Sequence, residues 1–127
     1  MPADPKMVLP AEVDVVEEIV KWGEERMAYL ARVGIPAERV IFDPGVGIGK
    51  TAAQSRVIIE KAEAFRALGV PVMIGHSRKS WLAEAHATPK ERDQATLEAS
   101  LRLRAKGVDY LRVHNVALHA RAFAVAP

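Results

Sequence analysis

The chain has 127 residues, half of them hydrophobic and 27% charged, which suits one globular unit, falls short of the roughly 250 residues of a complete (β/α)₈ barrel, and argues against intrinsic disorder or fibrous repeats. With 18 Lys+Arg against 16 Asp+Glu the formal charge is only +2, too small an excess for a nucleic-acid-binding stripe. The absence of cysteine excludes disulfide frameworks, thiol catalysis and Cys-based zinc sites, and with no long apolar run and no signal-peptide core after Met1 the expectation is a soluble cytoplasmic protein with neither nucleic acid nor membrane as partner.

The opening stretch, punctuated by Pro2, Pro5 and Pro10, is expected to be an irregular lead-in. From Ala11 to Val33 the residues Val13, Val16, Ile19, Val20, Met27, Leu30 and Val33 keep a helical spacing, and Gly34 and Pro36 supply the stop. Arg39-Val40-Ile41-Phe42 is short, β-branched and aromatic, as a buried strand would be, and it ends at Asp43-Pro44-Gly45. A second helix is predicted over Thr51 to Leu68, closed by Gly69 and Pro71. Val70 to Ile74 is a second buried strand, ending in Gly75-His76-Ser77-Arg78-Lys79-Ser80, with a short helix over Lys79 to His86. Thr88-Pro89-Lys90-Glu91 is a capping-box pattern with Pro at the first helical position, opening a long helix that stops at Gly107. Val108 to Val113 is the third strand, and Ala117 to Ala126 a final helix.

Helices alternating with continuous apolar strands indicate an α/β fold with a parallel sheet. The polar clusters all fall at carboxyl ends of strands, the edge on which barrels and open parallel sheets build their sites. The first cluster is not a nucleotide P-loop: the Walker spacing needs glycine where Pro44 sits, and the dinucleotide spacing needs glycine where Lys50 sits. What remains is a carboxylate, Asp43, able to accept two N–H donors of an amino-heterocycle or to cap its own loop, followed by glycines that permit close backbone approach. The second gathers Ser77, Lys79 and Ser80 into an anion or carbonyl pocket, with Arg78 facing either water or a carboxylate; His76 reads as a packed or exposed loop residue. Arg112 and His114 lie two apart, share a face and suit phosphate or pyrophosphate, the competing reading being a buried ion pair of Arg112 with Asp109 or Asp43. His86 and His119 have no metal-ligand spacing, so no metal-binding residue is expected.

Asp43-Pro44-Gly45-Val46-Gly47-Ile48-Gly49-Lys50, Gly75-His76-Ser77-Arg78-Lys79-Ser80 and Arg112-Val113-His114, in that order and spacing, resemble the three C-terminal motifs of dihydropteroate synthase. The resemblance implies the C-terminal half of a (β/α)₈ TIM barrel, with residues 1–127 as a single half-barrel domain and the family's N-terminal half absent. It implies the condensation of 6-hydroxymethyl-7,8-dihydropterin pyrophosphate with p-aminobenzoate in folate synthesis, assisted by Mg²⁺ whose protein ligand lies outside this chain. By position, Asp43 would bind the pterin amino edge, Lys79 its carbonyl side, and Gly75 would line the pocket. Arg112 would stack near the ring and bind anion, His114 would hold pyrophosphate, and Ser77 and Ser80 would lie toward p-aminobenzoate. Lys79, Arg112 and His114 are then the catalytic candidates. The sequence departs from the family at Val46 and Ile48, usually aromatic, at His76, usually small or a thioether, and at Asn115, usually Asp. A chain with half the strands is expected to need self-association or an N-terminal half-barrel partner. The alternatives are a non-catalytic pterin-binding or assembly subunit and a methyltetrahydrofolate methyltransferase-type domain.

Overall fold

The computed structural model describes residues 14–77, 79 and 87–125; the lead-in, Arg78, and all of the predicted 79–86 helix but Lys79, Ser80 included, lie outside the described residues. Helix α1 spans Val15–Arg32, with Asp14 as its N-cap accepting from the Glu17 N–H. It ends at Val33 as predicted, and Gly34 follows with φ +90°. Its inner face, Val15, Val16 and Ile19, is buried.

Of the predicted strand over Arg39 to Phe42, Arg39 instead ends a 3₁₀ turn, Ala37–Arg39, Val40 is extended, and only Phe42 makes a bridge, parallel to Val72. The predicted helix over Thr51 to Leu68 divides into α2, Ala52–Glu60, and a 3₁₀ segment, Ala62–Leu68. The three-residue period of the second piece puts Ala62, Phe65 and Leu68 on one side. Ala62 and Phe65 are completely buried there, and Leu68 packs against the same core. Strand β1 is Met73–Ile74, α3 is Pro89–Ala105, β2 is Tyr110–Leu111 and α4 is Val116–Val125. The capping box at Thr88 and Glu91 forms as its sequence predicts.

Both strands are shorter than the apolar runs that contain them. They pair in parallel, Met73 with Tyr110 and Ile74 with Leu111. The ladder stops because Asp109 Oδ2 takes the Val72 N–H at 2.9 Å, a bond a neighbouring backbone would otherwise make. The stretch around Val72 is central, since Met73 N–H donates to the Phe42 carbonyl on one side and Tyr110 N–H to the Val72 carbonyl on the other. Under this sheet lie Ile19, Phe42, Ile58, Phe65, Val72, Ile74 and Leu103. The rings of Trp22, Phe42 and Phe65 pack in series with centroids 6.2 and 5.9 Å apart, a geometry favourable to aromatic pairs. Helices thus cover the sheet while the strand ends stay open.

Candidate functional site

Each strand delivers its polar cluster to the same edge of the sheet. After Phe42, the half-buried Asp43 turns back on its own loop, and its Oδ1 accepts the Gly45 N–H at 2.8 Å. The loop then passes through left-handed glycines, φ +73° at Gly45 and +79° at Gly47, a region disfavoured for residues with a Cβ. The Lys79 side chain lies along this loop: a Cβ on Gly47 would stand 3.4 to 3.6 Å from it, Nζ included, an ordinary contact, so it is the left-handed backbone that calls for glycine at this position.

Lys50 braces that loop from inside. Its Nζ donates to the carbonyls of Gly45 at 2.9 Å and Ile48 at 2.7 Å. Burial lowers its pKa to about 8, against the opposing attraction of Asp43. Of the two neighbouring departures from the family pattern, Val46 belongs to the buried core and Ile48 is exposed.

A cavity of about 200 Å³ is lined by Gly75, Ser77, Lys79, Arg112, Val113 and His114. Gly75 makes room for the Arg112 guanidinium, whose Nη2, Cζ and Nε occupy the space a Cβ would need. Arg112 is exposed, and the Asp109 carboxylate is engaged with the Val72 N–H. Ser77 Oγ accepts the His114 backbone N–H at 2.9 Å and lies 2.7 Å from His114 Nδ1. Sending the hydroxyl proton to Nδ1 leaves Nε2–H as the ring's outward donor. Two cations, a hydroxyl and an imidazole therefore converge on one small hollow, an arrangement that can hold an anion with several negatively charged oxygens.

Of the sequence-predicted site residues, Gly75, Ser77, Lys79, Arg112 and His114 meet in this cavity. Asp43 is not part of its lining; of the first cluster, Gly47 lies beside the cavity's Lys79. Ser80 lies outside the described residues. A larger groove of about 670 Å³ runs along β2 and α4, with Tyr110, Leu111, Val116 and Phe123 in its wall. It is mainly apolar and receives only Arg112 from the strand-end polar groups. Among the described residues no three His, Asp or Glu side chains gather as metal ligands, so no metal step can be built on them.

Three polar residues outside the cavity lining make contacts that the sequence reading does not specify. Lys50 enters that reading only as the residue that breaks a nucleotide-binding pattern, although a lysine closing a glycine-rich loop is a candidate brace. His76 is completely buried, as one of its two sequence readings allows, with Nε2 2.8 Å from Ser100 Oγ. Asn115 places Oδ1 on the Leu118 N–H at 3.0 Å, capping α4, and donates from Nδ2 to Asp93 Oδ2 at 3.2 Å.

A profile of the family described as pterin binding enzyme matches residues 1–114. The folate synthesis bifunctional protein of Chlamydia trachomatis is 42% identical over 129 aligned residues, which take in 99% of this chain and 29% of that protein. The Xanthomonas albilineans dihydropteroate synthase with 4-aminobenzoic acid superposes with a TM-score of 0.84 at 32% identity, over 100% of this chain and 48% of that one. The Thermus thermophilus dihydropteroate synthase in complex with 6HMPPP gives 0.82 at 33% identity, over 98% and 49%. The chain thus spans under a third of the first relative and about half of the solved structures, and its α/β architecture is that of half a (β/α)₈ barrel.

Proposed function

We propose that this chain, which belongs to the pterin binding enzyme family, carries the pterin pyrophosphate side of a dihydropteroate synthase site and acts in folate synthesis as part of that transferase. The observation that carries the reading is the meeting of Ser77, Lys79, Arg112 and His114 in one cavity at the strand ends. The similar enzymes with 4-aminobenzoic acid and with 6HMPPP lend it support.

In this reading Asp43, with Oδ1 already engaged by its loop, offers Oδ2 to the amino edge of the pterin. Lys79 donates to the ring's carbonyl side, and Arg112 lies over Gly75 against the ring and the anion. The amine nitrogen of p-aminobenzoate forms the new C–N bond at the pterin methylene. The methylene C–O bond breaks, pyrophosphate leaves with its electron pair, and the amine proton passes to solvent. Negative charge grows on the leaving group, so donors already aimed at it lower the barrier more than they strengthen ground-state binding. Arg112 and His114 supply that stabilisation, and Ser77 holds His114 in place for it. Ser80 is assigned to the p-aminobenzoate end on the resemblance alone. Mg²⁺ belongs to the proposal only as a charge-neutralising ion on the pyrophosphate, with its protein ligands supplied from outside the described residues.

Residues 1–127 form one half-barrel domain on this reading, and the missing strands come from a segment or a partner of the N-terminal type, or from a second copy. A cytoplasmic setting suits the cysteine-free sequence, and no helix among the described residues is long and apolar enough to cross a membrane. Calorimetry with 6-hydroxymethyl-7,8-dihydropterin pyrophosphate tests the site. Lys79→Met and Arg112→Met are each expected to weaken binding about 10- to 100-fold, the loss of one charged hydrogen-bonding group. Unchanged affinity in both variants overturns the site. Product is expected only when an N-terminal half is added, and full turnover by the isolated chain overturns the half-site reading.

A further inference from the structure

Behind the cavity, buried polar side chains close a ring. Ser77 holds both the backbone N–H and the Nδ1 of His114. The next carbonyl, that of Asn115, lies 3.0 Å from His119 Nδ1. His119 Nε2 is 2.8 Å from Ser100 Oγ, and so is His76 Nε2. His76 is covalently joined to Ser77, which completes the circuit.

Ser100 is the hub. Its Oγ also lies 2.8 Å from the Thr96 carbonyl. With the His119 ring proton on Nδ1 toward the Asn115 carbonyl, His119 Nε2 is an acceptor, so the one hydroxyl proton is shared between Thr96 and His119 while His76 Nε2–H donates to an Oγ lone pair. His76 and Ser100 are completely buried and His119 nearly so. None of the three lines the cavity. Burying three polar side chains in one place costs more than packing apolar ones of the same size. The His76 Nδ1 has no hydrogen-bond partner, which adds to that cost. What the ring secures is relative position: one end is the residue before Ser77, the other the carbonyl just after His114. The β1 loop, the middle of α3 and the start of α4 are tied together directly behind the anion-facing groups.

We propose that His76, Ser100 and His119 are positioning residues, which act through Ser77 and the Asn115 carbonyl to hold the His114 imidazole toward the anion. The proposal rests on the pyrophosphate reading of that cavity. The decisive variant is Ser100→Ala in the full chain, followed by the imidazole ¹⁵N resonances of His114 and by calorimetric titration with inorganic pyrophosphate. The expected result is displaced or broadened His114 resonances and affinity reduced about tenfold, with helix content by circular dichroism unchanged. Ser100→Thr, which keeps the hydroxyl, is expected to restore both readouts. His119→Phe, which removes the ring contacts from the other side, carries the same expectation should Ser100→Ala not fold. His114 resonances unchanged in a folded ring-breaking variant overturn the proposal. Failure of the unmodified chain to bind pyrophosphate counts instead against the pyrophosphate reading, and the His114 resonances still test the ring.

Discussion

A buried histidine with one nitrogen unpartnered has a measurable signature. Burial holds the His76 pKa down at about 4, with the nearby backbone of Thr96 and Ile74 opposing it only in part, against an ordinary value of 6.5. The unfolded chain therefore takes up this proton first as pH falls, so stability from this group is complete above 6.5 and is lost progressively between 6.5 and 4. Between pH 7 and pH 5 the loss is about 2 kcal/mol. Urea unfolding of the wild type and His76→Gln at both pH values should show that component in the wild type alone; equal losses would remove His76 as its source. At the same scale, Asn115 accounts for one departure from the family pattern. Its amide donates to the buried Asp93, whereas an aspartate at that position would set two carboxylates against each other, each raising the other's cost of ionisation.

Helix starts decide how the site loops are anchored. Thr51 accepts the Gln54 N–H at 3.0 Å while Gln54 Oε1 accepts the Thr51 N–H at 2.9 Å, a reciprocal cap directly after Lys50. Thr51→Ala should cost about 1 kcal/mol, read as a lower urea midpoint with unchanged m; no shift would mean that the loop is held by Lys50 alone. The start at Thr88 was legible because its capping box is written within four residues; Thr51 was legible only as the start of a helix, and its reciprocal cap with Gln54 came from the structure. The break after Glu60 was not, since Ala62, Phe65 and Leu68 suit a three-residue period as well as an α-helical face. Strand positions were legible from apolar runs, but strand lengths depended on Asp109 intercepting the Val72 N–H. Five of the six cavity residues, all but Val113, were legible as strand-end clusters. The ring behind them was not, because His76 and Ser100 are 24 residues apart and Ser100 and His119 are 19 apart, a pairing that only tertiary packing creates.

On the scale of the whole molecule the sheet has two outer edges among the described residues. Ile41 is 51% exposed beside one and Tyr110 is 50% exposed on the other. Unpaired edges with apolar neighbours invite further strands. Sedimentation of the chain alone should therefore show self-association, replaced by a one-to-one complex when an N-terminal half-barrel is supplied. A monomer at the highest concentration tested, indifferent to that addition, would count against the half-barrel assembly. The central position of Val72 has one more consequence. Side chains alternate along a strand, so sliding this segment by a single place would bring Ile74 or His76 to the spot where glycine now admits the guanidinium. Misaligned sheets would thus have a blocked pocket, and ligand occupancy would double as a report of correct strand alignment.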